Sequence, residues 1–352
     1  MMGRVLLMCL SLWLVLIALP AAAASAWAPA LEARLAGLEE EYDAELGVHL
    51  RDLEGDERFG WRDRESWYLA SLVKLPVAVE LLARVEAGAA SLDETLMLQA
   101  RYYVDGAGPT NWAPPGERLS LGELMEAMLT VSDNTATDML IERLGLEAVN
   151  RRARRLAGEG GMGPITPLVE VRREVYGRLH PAARKLGGLD FIELSKLKSD
   201  AERLAWLRER LGVTRTGLEG SSLEAAYADY YAGELNSGRL EAVAELLAAI
   251  GSGRALGPTA TDRLLSTLAR TSSGESRLKA GFGPDVDFAH KTGTQRRLAC
   301  DAGLIISAQG HPPRQVVVAC VRGPASLASR ERALAAVGRA LRDVGALSLP
   351  DN

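Results

Sequence analysis

Residues 66–82 read SWYLASLVKLPVAVELL and carry the most informative pattern in the chain. Ser71 and Lys74 stand three positions apart at the start of an apolar helical segment that ends at Gly88, so their side chains share one face. A lysine can activate a serine hydroxyl when its amine is shielded from solvent and loses its proton. Ser71 is therefore either a nucleophile that Lys74 activates or an ordinary surface serine, and the spacing alone does not decide between them.

The same spacing recurs at Ser195/Lys198 and Ser276/Lys279, so the context has to separate the three pairs. The second pair lies in the charged segment ELSKLKSD and the third in SGESRLKAG, which is rich in glycine and charge. Both segments are predicted to lie at the protein surface. The chain has 35 arginines and six lysines. An ammonium, unlike a guanidinium, can lose its proton in a desolvated pocket, which favours a chemical role for Lys74.

Two further motifs follow in order, VSDNTA at 131–136 and HKTGT at 290–294. Taken singly, Ser132 and Asn134 would be helix-capping or kink residues, and Lys291 would belong to a turn with a charged rim. Taken together with Ser71 and Lys74, they form the ordered set Ser-x-x-Lys, Ser-Asp-Asn, Lys-Thr-Gly that acyl-serine transferases require. The combination favours catalysis.

Strand patterns lie near both ends of the chain, and the sequence between them has helical patterns. The predicted fold is α/β (α+β), with an antiparallel sheet built from both termini and flanked by helices, and an all-helical domain inserted between. We expect residues 27–70 and 270–352 to form the sheet domain and residues 71–269 the helical domain.

The chain opens with one positive charge, an apolar run from Val5 to Leu19 and the small residues AAAASAW. This order predicts a signal peptide at residues 1–26, cut near Ala26, and a periplasmic or secreted protein. A retained membrane anchor is the alternative, although the run is short for a span of about 20 residues. The net charge of −5 indicates neither nucleic-acid binding nor a polybasic membrane patch.

After Ala26 the chain keeps two cysteines, Cys300 and Cys320, which flank a predicted hairpin turn in SAQGHPPRQ. In an exported protein this placement permits a disulfide; two buried thiols acting as small hydrophobic groups are the alternative. The four histidines are scattered and no Cys-x-x-Cys pair occurs, so no metal site is expected. The glycines at 158, 160 and 163 lack the strand before and helix after that dinucleotide binding needs, and no cofactor is predicted.

The three motifs and the text around them resemble the class A β-lactamases and the related penicillin-binding serine transferases, over most of the chain after Ala26. The resemblance implies a β-lactamase/transpeptidase-like fold. It also implies that Ser71 is acylated, that Lys74 accepts or relays its proton, that Ser132 passes a proton to the departing nitrogen and that Asn134 holds the substrate's side-chain amide.

The same resemblance implies a substrate-binding role for the HKTGT strand. Lys291 would attract the substrate carboxylate, Thr292 and Thr294 would donate hydroxyl hydrogen bonds, and Gly293 would belong to the same binding strand. Backbone N–H groups of Ser71 and Thr294 would form the oxyanion hole.

One departure from the family concerns the base that hydrolyses the acyl-enzyme. The family carries a glutamate followed after two residues by Leu-Asn, whereas the corresponding text here is ITPLVEVRREVYGRLHP. Arg172 falls where the glutamate is expected, and Glu170 and Glu174, two residues to either side, are the candidates for a displaced base. A solvated helical face is the alternative for both. About forty extra residues follow, within an atypical insertion near 158–222.

These observations predict an exported serine hydrolase that opens β-lactam amide bonds through an acyl-Ser71 intermediate. The alternatives are a penicillin-binding D,D-peptidase or esterase-like relative acting on cell-wall peptides, and a catalytically silent cell-wall binding protein. We expect a small β-lactam or peptidoglycan-like substrate, no nucleic-acid partner, no membrane span after cleavage, and a monomer.

Overall fold

A computed structural model describes residues 26–55, 57–214, 218, 222–306, 313–324 and 326–347. Apart from Ala26, the predicted signal peptide lies outside the described residues, and so do residues 307–312 of the predicted hairpin turn. Within these ranges, no helix is long and apolar enough to cross a membrane. The same ranges contain no group of three or more His, Cys, Asp or Glu residues arranged to hold a metal ion.

The described residues form nine strands and thirteen α-helices, numbered here in chain order. The strands are β1 (Glu45–Asp52), β2 (Arg58–Trp61), β3 (Trp67–Tyr68), β4 (Thr95–Met97), β5 (Arg118–Ser120), β6 (Ser237–Gly238), β7 (Asp287–Gln295), β8 (Leu298–Ile306) and β9 (Gln315–Arg322). The helices are α1 (Ala28–Tyr42), α2 (Lys74–Glu86), α3 (Leu121–Thr130), α4 (Asn134–Leu144), α5 (Leu146–Ala157), α6 (Leu168–Gly177), α7 (Gly188–Lys196), α8 (Asp200–Leu211), α9 (Leu223–Tyr231), α10 (Leu240–Gly251), α11 (Pro258–Ala269), α12 (Leu278–Phe282) and α13 (Leu327–Asp343).

Five of the strands form one antiparallel sheet in the order β2-β1-β9-β8-β7. The central pairing joins β1, from the start of the chain, to β9, from its end, in a register that runs from Glu45 opposite Arg322 to Asp52 opposite Gln315. The prediction of an antiparallel sheet built from both termini is therefore confirmed.

Alternate residues of the sheet face two different hydrophobic cores, as the period of two in a strand requires. Leu46, Val48 and Leu50 of β1 pack with the buried leucines of α1 and with α13. On the other face, Val316 and Val318 of β9 join the large core that contains α2 and α10. Helices thus cover both faces, which buries the central strands and fixes β7 against the helical part of the chain.

The region predicted to be wholly helical also contains short strands. β4 pairs with β5, and β3 pairs with β6 through Trp67 opposite Gly238. Strands of two or three residues are too short to produce a recognisable alternation of apolar and polar residues, so the sequence pattern missed them. The division into domains at residues 70/71 and 269/270 stays a prediction.

The two cysteines that remain after Ala26 form a disulfide. Cys300 of β8 lies directly opposite Cys320 of β9, and both are fully buried within the sheet. Of the two alternatives that the sequence left open, the structure therefore contains the bridge.

The inserted segment packs beside the sheet edge that carries HKTGT. Phe191 of α7 lies against Tyr176 of α6, with ring centroids 5.7 Å apart. At the start of α8, the Asp200 carboxylate accepts hydrogen bonds of 2.5 and 2.8 Å from Arg296, which follows β7. This ion pair connects the insertion to the strand that bears Lys291.

The contact between α12 and α13 depends on a glycine. A Cβ at Gly281 would lie 2.1 Å from the Ala335 carbonyl oxygen, whereas a Cβ at Gly37 in α1 would meet nothing within 4 Å. We expect Gly281→Ala to lower the free energy of unfolding by about 1–3 kcal/mol through overpacking. The control Gly37→Ala should raise it by about 0.5–1 kcal/mol through helix propensity. Urea unfolding midpoints measure both, and equal stability of Gly281→Ala and the parent would contradict the packing.

Candidate active site

Ser71 lies in a strained turn between β3 and α2. The turn is a 3-10 helix, Ala70–Val73, and Ala70 has φ of 48°, in the left-handed region that non-glycine residues seldom occupy. Pairing of β3 with β6, and the 2.8 Å hydrogen bond from Leu69 N to the Asn236 carbonyl, hold the chain in this conformation. Strain of this kind concentrates at functional sites, and here it immediately precedes the candidate nucleophile.

Lys74 begins α2 with its side chain fully buried. Its Nζ donates to the Ser132 carbonyl oxygen at 2.6 Å, to Ser132 Oγ at 3.1 Å and to Asn134 Oδ1 at 2.8 Å. Burial lowers the pKa of Lys74 to about 7; the Asp133 and Asp138 carboxylates oppose this shift, and the Arg172 charge adds to it. An amine with this pKa is neutral often enough to accept a proton at physiological pH.

The Ser-Asp-Asn motif joins α3 to α4 and is fixed from several sides. Ser132 has φ of 62°, a second strained non-glycine residue in the site. Asp133 caps α4 by accepting from Ala136 N and also accepts from Thr110 N, both at 2.9 Å. Asn134 donates from Nδ2 to the Asp105 carbonyl oxygen at 2.6 Å while its Oδ1 accepts from the Lys74 amine. Both ends of the Asn134 amide are thus engaged by the protein.

Lys291 reaches the same serine from the sheet. Its fully buried Nζ donates to Ser132 Oγ and to the Thr292 carbonyl oxygen, both at 3.0 Å. Burial holds the pKa of Lys291 well below its ordinary value, and the positive charges of Lys74 and Arg277 lower it further. Ser132 Oγ therefore lies between two amines, and a proton can move along the line from Lys74 through Ser132.

Gly293 allows the HKTGT strand to lie against the turn that carries Ser71. A Cβ at this position would be 2.8 Å from the Leu69 carbonyl oxygen and 3.2 Å from Ala70 Cβ. This close approach places Thr294 and Ser71 on the walls of one pocket. The Thr292 hydroxyl shares a hydrogen bond of 2.6 Å with the Ser273 hydroxyl, and the Thr294 hydroxyl accepts a hydrogen bond of 2.6 Å from Arg277.

The pocket beside Ser71 is bordered by one face of α6. Leu168, Val171 and Arg172 line it, and they lie at i, i+3 and i+4 of the helix. Glu170 and Glu174 share a different face and are not among the lining residues. In those positions Glu170 pairs with Arg173, and Glu174 pairs with Arg178 and Arg184.

The other two Ser-x-x-Lys pairs lie apart from this arrangement. The Ser195 hydroxyl donates to the Ile192 carbonyl oxygen, and the Ser276 hydroxyl donates to the Glu331 carboxylate. Neither serine borders the pocket of Ser71. Two larger cavities of about 520 and 500 Å³ occur elsewhere, and no motif residue lines either of them.

Sequence reasoning missed two buried charged residues of the site. Asp138 accepts from Leu168 N at 2.6 Å and Val169 N at 2.9 Å, which anchors the first turn of α6, and burial raises its pKa to about 7. Its position four residues after Asn134, on the same helix face, was the available signal.

The second missed residue is Arg277, which lies in the segment SGESRLKAG that the sequence predicted to be surface. Its side chain is nearly fully buried and donates to the Gly293 and Cys300 carbonyl oxygens and to the Thr294 hydroxyl. For Arg277 the surface prediction was therefore wrong. No local signal was available, because its acceptors lie 16 to 23 residues away along the chain.

Comparison with known proteins identifies the family. The sequence matches the beta-lactamase enzyme family over residues 30–174 and 194–344. The chain belongs to this family. The unmatched residues 175–193 fall within the predicted insertion.

Individual relatives agree with this assignment. A β-lactamase of Rhodobacter capsulatus is 34% identical over 116 residues, which are 33% of this chain and 39% of the relative. The chain thus spans less than half the length of such curated relatives.

Solved structures resemble the fold over nearly their whole length. A β-lactamase of Xanthomonas campestris has a TM-score of 0.67 at 23% identity, covering 90% of this chain and 98% of that one. An acyl-enzyme complex of a PBP-A mutant with penicillin G has a TM-score of 0.63 at 21% identity, covering 89% of this chain and 94% of that one. The β-lactamase/transpeptidase-like fold that the sequence predicted is confirmed.

The buried amine of Lys74 can be tested without an activity assay. In protein labelled with ¹³C at lysine Cε, the NMR signal lost in Lys74→Met should titrate with a midpoint of about 7, below the ordinary lysine value of about 10.4, because burial disfavours the charged form. The control Lys198→Met should remove a different signal and leave that titration in place. A midpoint near 10 for the Lys74 signal would contradict the desolvated site.

Proposed function

We propose that this protein opens the amide bond of β-lactams by transferring the acyl group to Ser71, and that it hydrolyses the resulting ester slowly. The observation that carries the proposal is the position of Ser132 Oγ, within 3.1 Å of both Lys74 Nζ and Lys291 Nζ. Lys74 begins the helix that directly follows the turn of Ser71. An acyl transferase needs an activated hydroxyl, a proton route to the leaving nitrogen and a cationic anchor.

In the proposed acylation step, Ser71 Oγ attacks the amide carbon and gives its proton to the neutral amine of Lys74. The amide C–N bond then breaks, and the leaving nitrogen receives a proton from Ser132 Oγ, which Lys74 reprotonates. Lys291 binds the substrate carboxylate, whose negative charge favours the protonated form of this buried amine. Backbone N–H groups of Ser71 and Thr294 stabilise the oxyanion, a kind of interaction worth about 3 kcal/mol per donor in other hydrolases.

Slow hydrolysis follows from the residues beside Ser71. Leu168 and Val171 are apolar, and Arg172 cannot accept a proton. A general base contributes about 10²- to 10⁴-fold to proton-transfer steps. Glu170 and Glu174, the candidates for a displaced base, would have to leave their arginine partners to serve, so deacylation is proposed to run without efficient base catalysis.

The same pocket favours a second candidate, a penicillin-binding D,D-peptidase acting on cell-wall peptides. Such an enzyme needs the acylation apparatus, but its acyl group need not be passed rapidly to water. Release of D-alanine from a peptide that ends in D-Ala-D-Ala, by the parent and not by Ser71→Ala, would support this candidate. Fast turnover of β-lactams without peptide cleavage would exclude it.

Export remains part of the proposal. The apolar run from Val5 to Leu19 and the small residues up to Ala26 support a cleaved signal peptide. The protein would then act in the periplasm or outside the cell, where its β-lactam or cell-wall substrate is found and where a Cys300–Cys320 disulfide persists.

The acylated residue is expected to be Ser71. A fluorescent penicillin should label the parent protein, Ser195→Ala and Ser276→Ala to the same extent, and Ser71→Ala not at all, because the nucleophilic oxygen is lost. Gel fluorescence measures the labelling, and peptide mass spectrometry locates the adduct. Full labelling of Ser71→Ala, or an adduct on either of the other serines, would contradict the assignment.

A further inference from the structure

Arg172 presents a cation to the pocket of Ser71. Its side chain is 11% exposed and lines that pocket together with Asn134. Its Nε donates to Asp105 Oδ1 at 2.5 Å, and the guanidinium makes no second hydrogen bond to a described residue. Arginine carries five N–H donors, so the terminal nitrogens of Arg172 keep donors for a ligand.

The charge of Arg172 is permanent under all assay conditions. Burial opposes the charged form, but the Asp105 carboxylate outweighs it and holds the pKa of Arg172 above its ordinary value. The surrounding phenols stay neutral, because burial raises the pKa of Tyr68 and of Tyr231. Another ionisable group that interacts with Arg172 is the amine of Lys74, whose pKa the Arg172 charge helps to lower.

A planar guanidinium with free N–H groups matches the geometry of a carboxylate, which it can bind through two parallel hydrogen bonds. Lys291, the proposed anchor for the carboxylate on the leaving side of the substrate, does not line this pocket, whereas Arg172 does. Arg172 is therefore placed to meet a different part of the substrate, namely the group that stays on Ser71 after acylation.

We propose that the preferred substrates carry a carboxylate on their acyl side chain and that Arg172 binds it. The inference rests on the proposed function, since it concerns the acyl group transferred to Ser71. It defines a substrate class, an amide or β-lactam that is anionic on both sides of the reactive bond, with Lys291 and Arg172 as the two receptors.

A purely structural role for Arg172 makes a different prediction. The ion pair with Asp105 connects α6 to the loop whose carbonyl oxygen accepts from Asn134. Loss of that connection would disturb acylation by neutral and anionic side chains alike. The ratio of the acylation rates with anionic and with neutral side chains therefore distinguishes binding of the carboxylate by Arg172 from a purely structural role of Arg172.

Benzylpenicillin and carbenicillin are a matched pair, because carbenicillin is benzylpenicillin with an added carboxylate on the side-chain carbon. Stopped-flow measurement of the second-order rate constant of acylation should favour carbenicillin in the parent protein by about ten- to a hundredfold, the effect of a charge-assisted hydrogen bond. This comparison needs no variant, so it stands even where a substitution impairs folding.

Variants test whether Arg172 is the origin of the preference for carbenicillin. Arg172→Gln should reduce the ratio of carbenicillin to benzylpenicillin to about one or below, and Arg172→Lys should retain part of it. The control Arg173→Gln removes the neighbouring guanidinium, which pairs with Glu170 and does not line the pocket, and it should keep the parent ratio.

Three outcomes are distinguishable. A preference for carbenicillin that disappears in Arg172→Gln supports the inference. A parent ratio near or below one, or a ratio that Arg172→Gln leaves unchanged, overturns it while the proposed function stands. Absence of a Ser71 adduct with both compounds overturns the proposed function, and the inference falls with it.

Discussion

The site depends on two amines that the fold buries beside one hydroxyl. Lys74 and Lys291 are fully enclosed, neither makes an ion pair with a described residue, and both donate to Ser132 Oγ. Burial of an unpaired ammonium is costly, and the protein avoids that cost by lowering the pKa of the amine. These groups come together only when α2, the α3–α4 junction and β7 are all in place. The pairing of β1 with β9, which fixes the sheet, is therefore a condition for the proposed chemistry.

The candidate catalytic residues could be proposed from the sequence because each motif is local. Ser71 and Lys74 are one helical turn apart, and the Ser-Asp-Asn and Lys-Thr-Gly motifs occupy consecutive positions. The apolar patterns at the two ends of the chain likewise indicated the sheet. Contacts between distant segments were not predictable, as Arg277 demonstrates. It donates hydrogen bonds to backbone carbonyl groups on β7 and β8, and no sequence pattern near Arg277 indicates these contacts.

Helical register explains what the sequence left open around α6. Two glutamates flank Arg172, and without a structure either face of the segment could meet Ser71. In the fold, Asp138 fixes the first turn, and the helix turns Leu168, Val171 and Arg172 toward the pocket. The face that borders the pocket carries a cation and two apolar side chains where the family has a carboxylate. This is the basis for the proposals that hydrolysis is slow and that Arg172 contacts the acyl group.

The proposed chemistry requires that Ser71 is acylated readily and deacylated slowly. Its most direct test is the time course of the intact mass of the protein after mixing with one equivalent of benzylpenicillin, recorded together with the absorbance of the β-lactam. We expect one covalent adduct per chain that forms in a burst. Its lifetime should exceed the duration of the burst by about 10²-fold or more, because no general base accelerates deacylation. Complete consumption of the β-lactam at the rate of the burst, with no adduct accumulating, would contradict it.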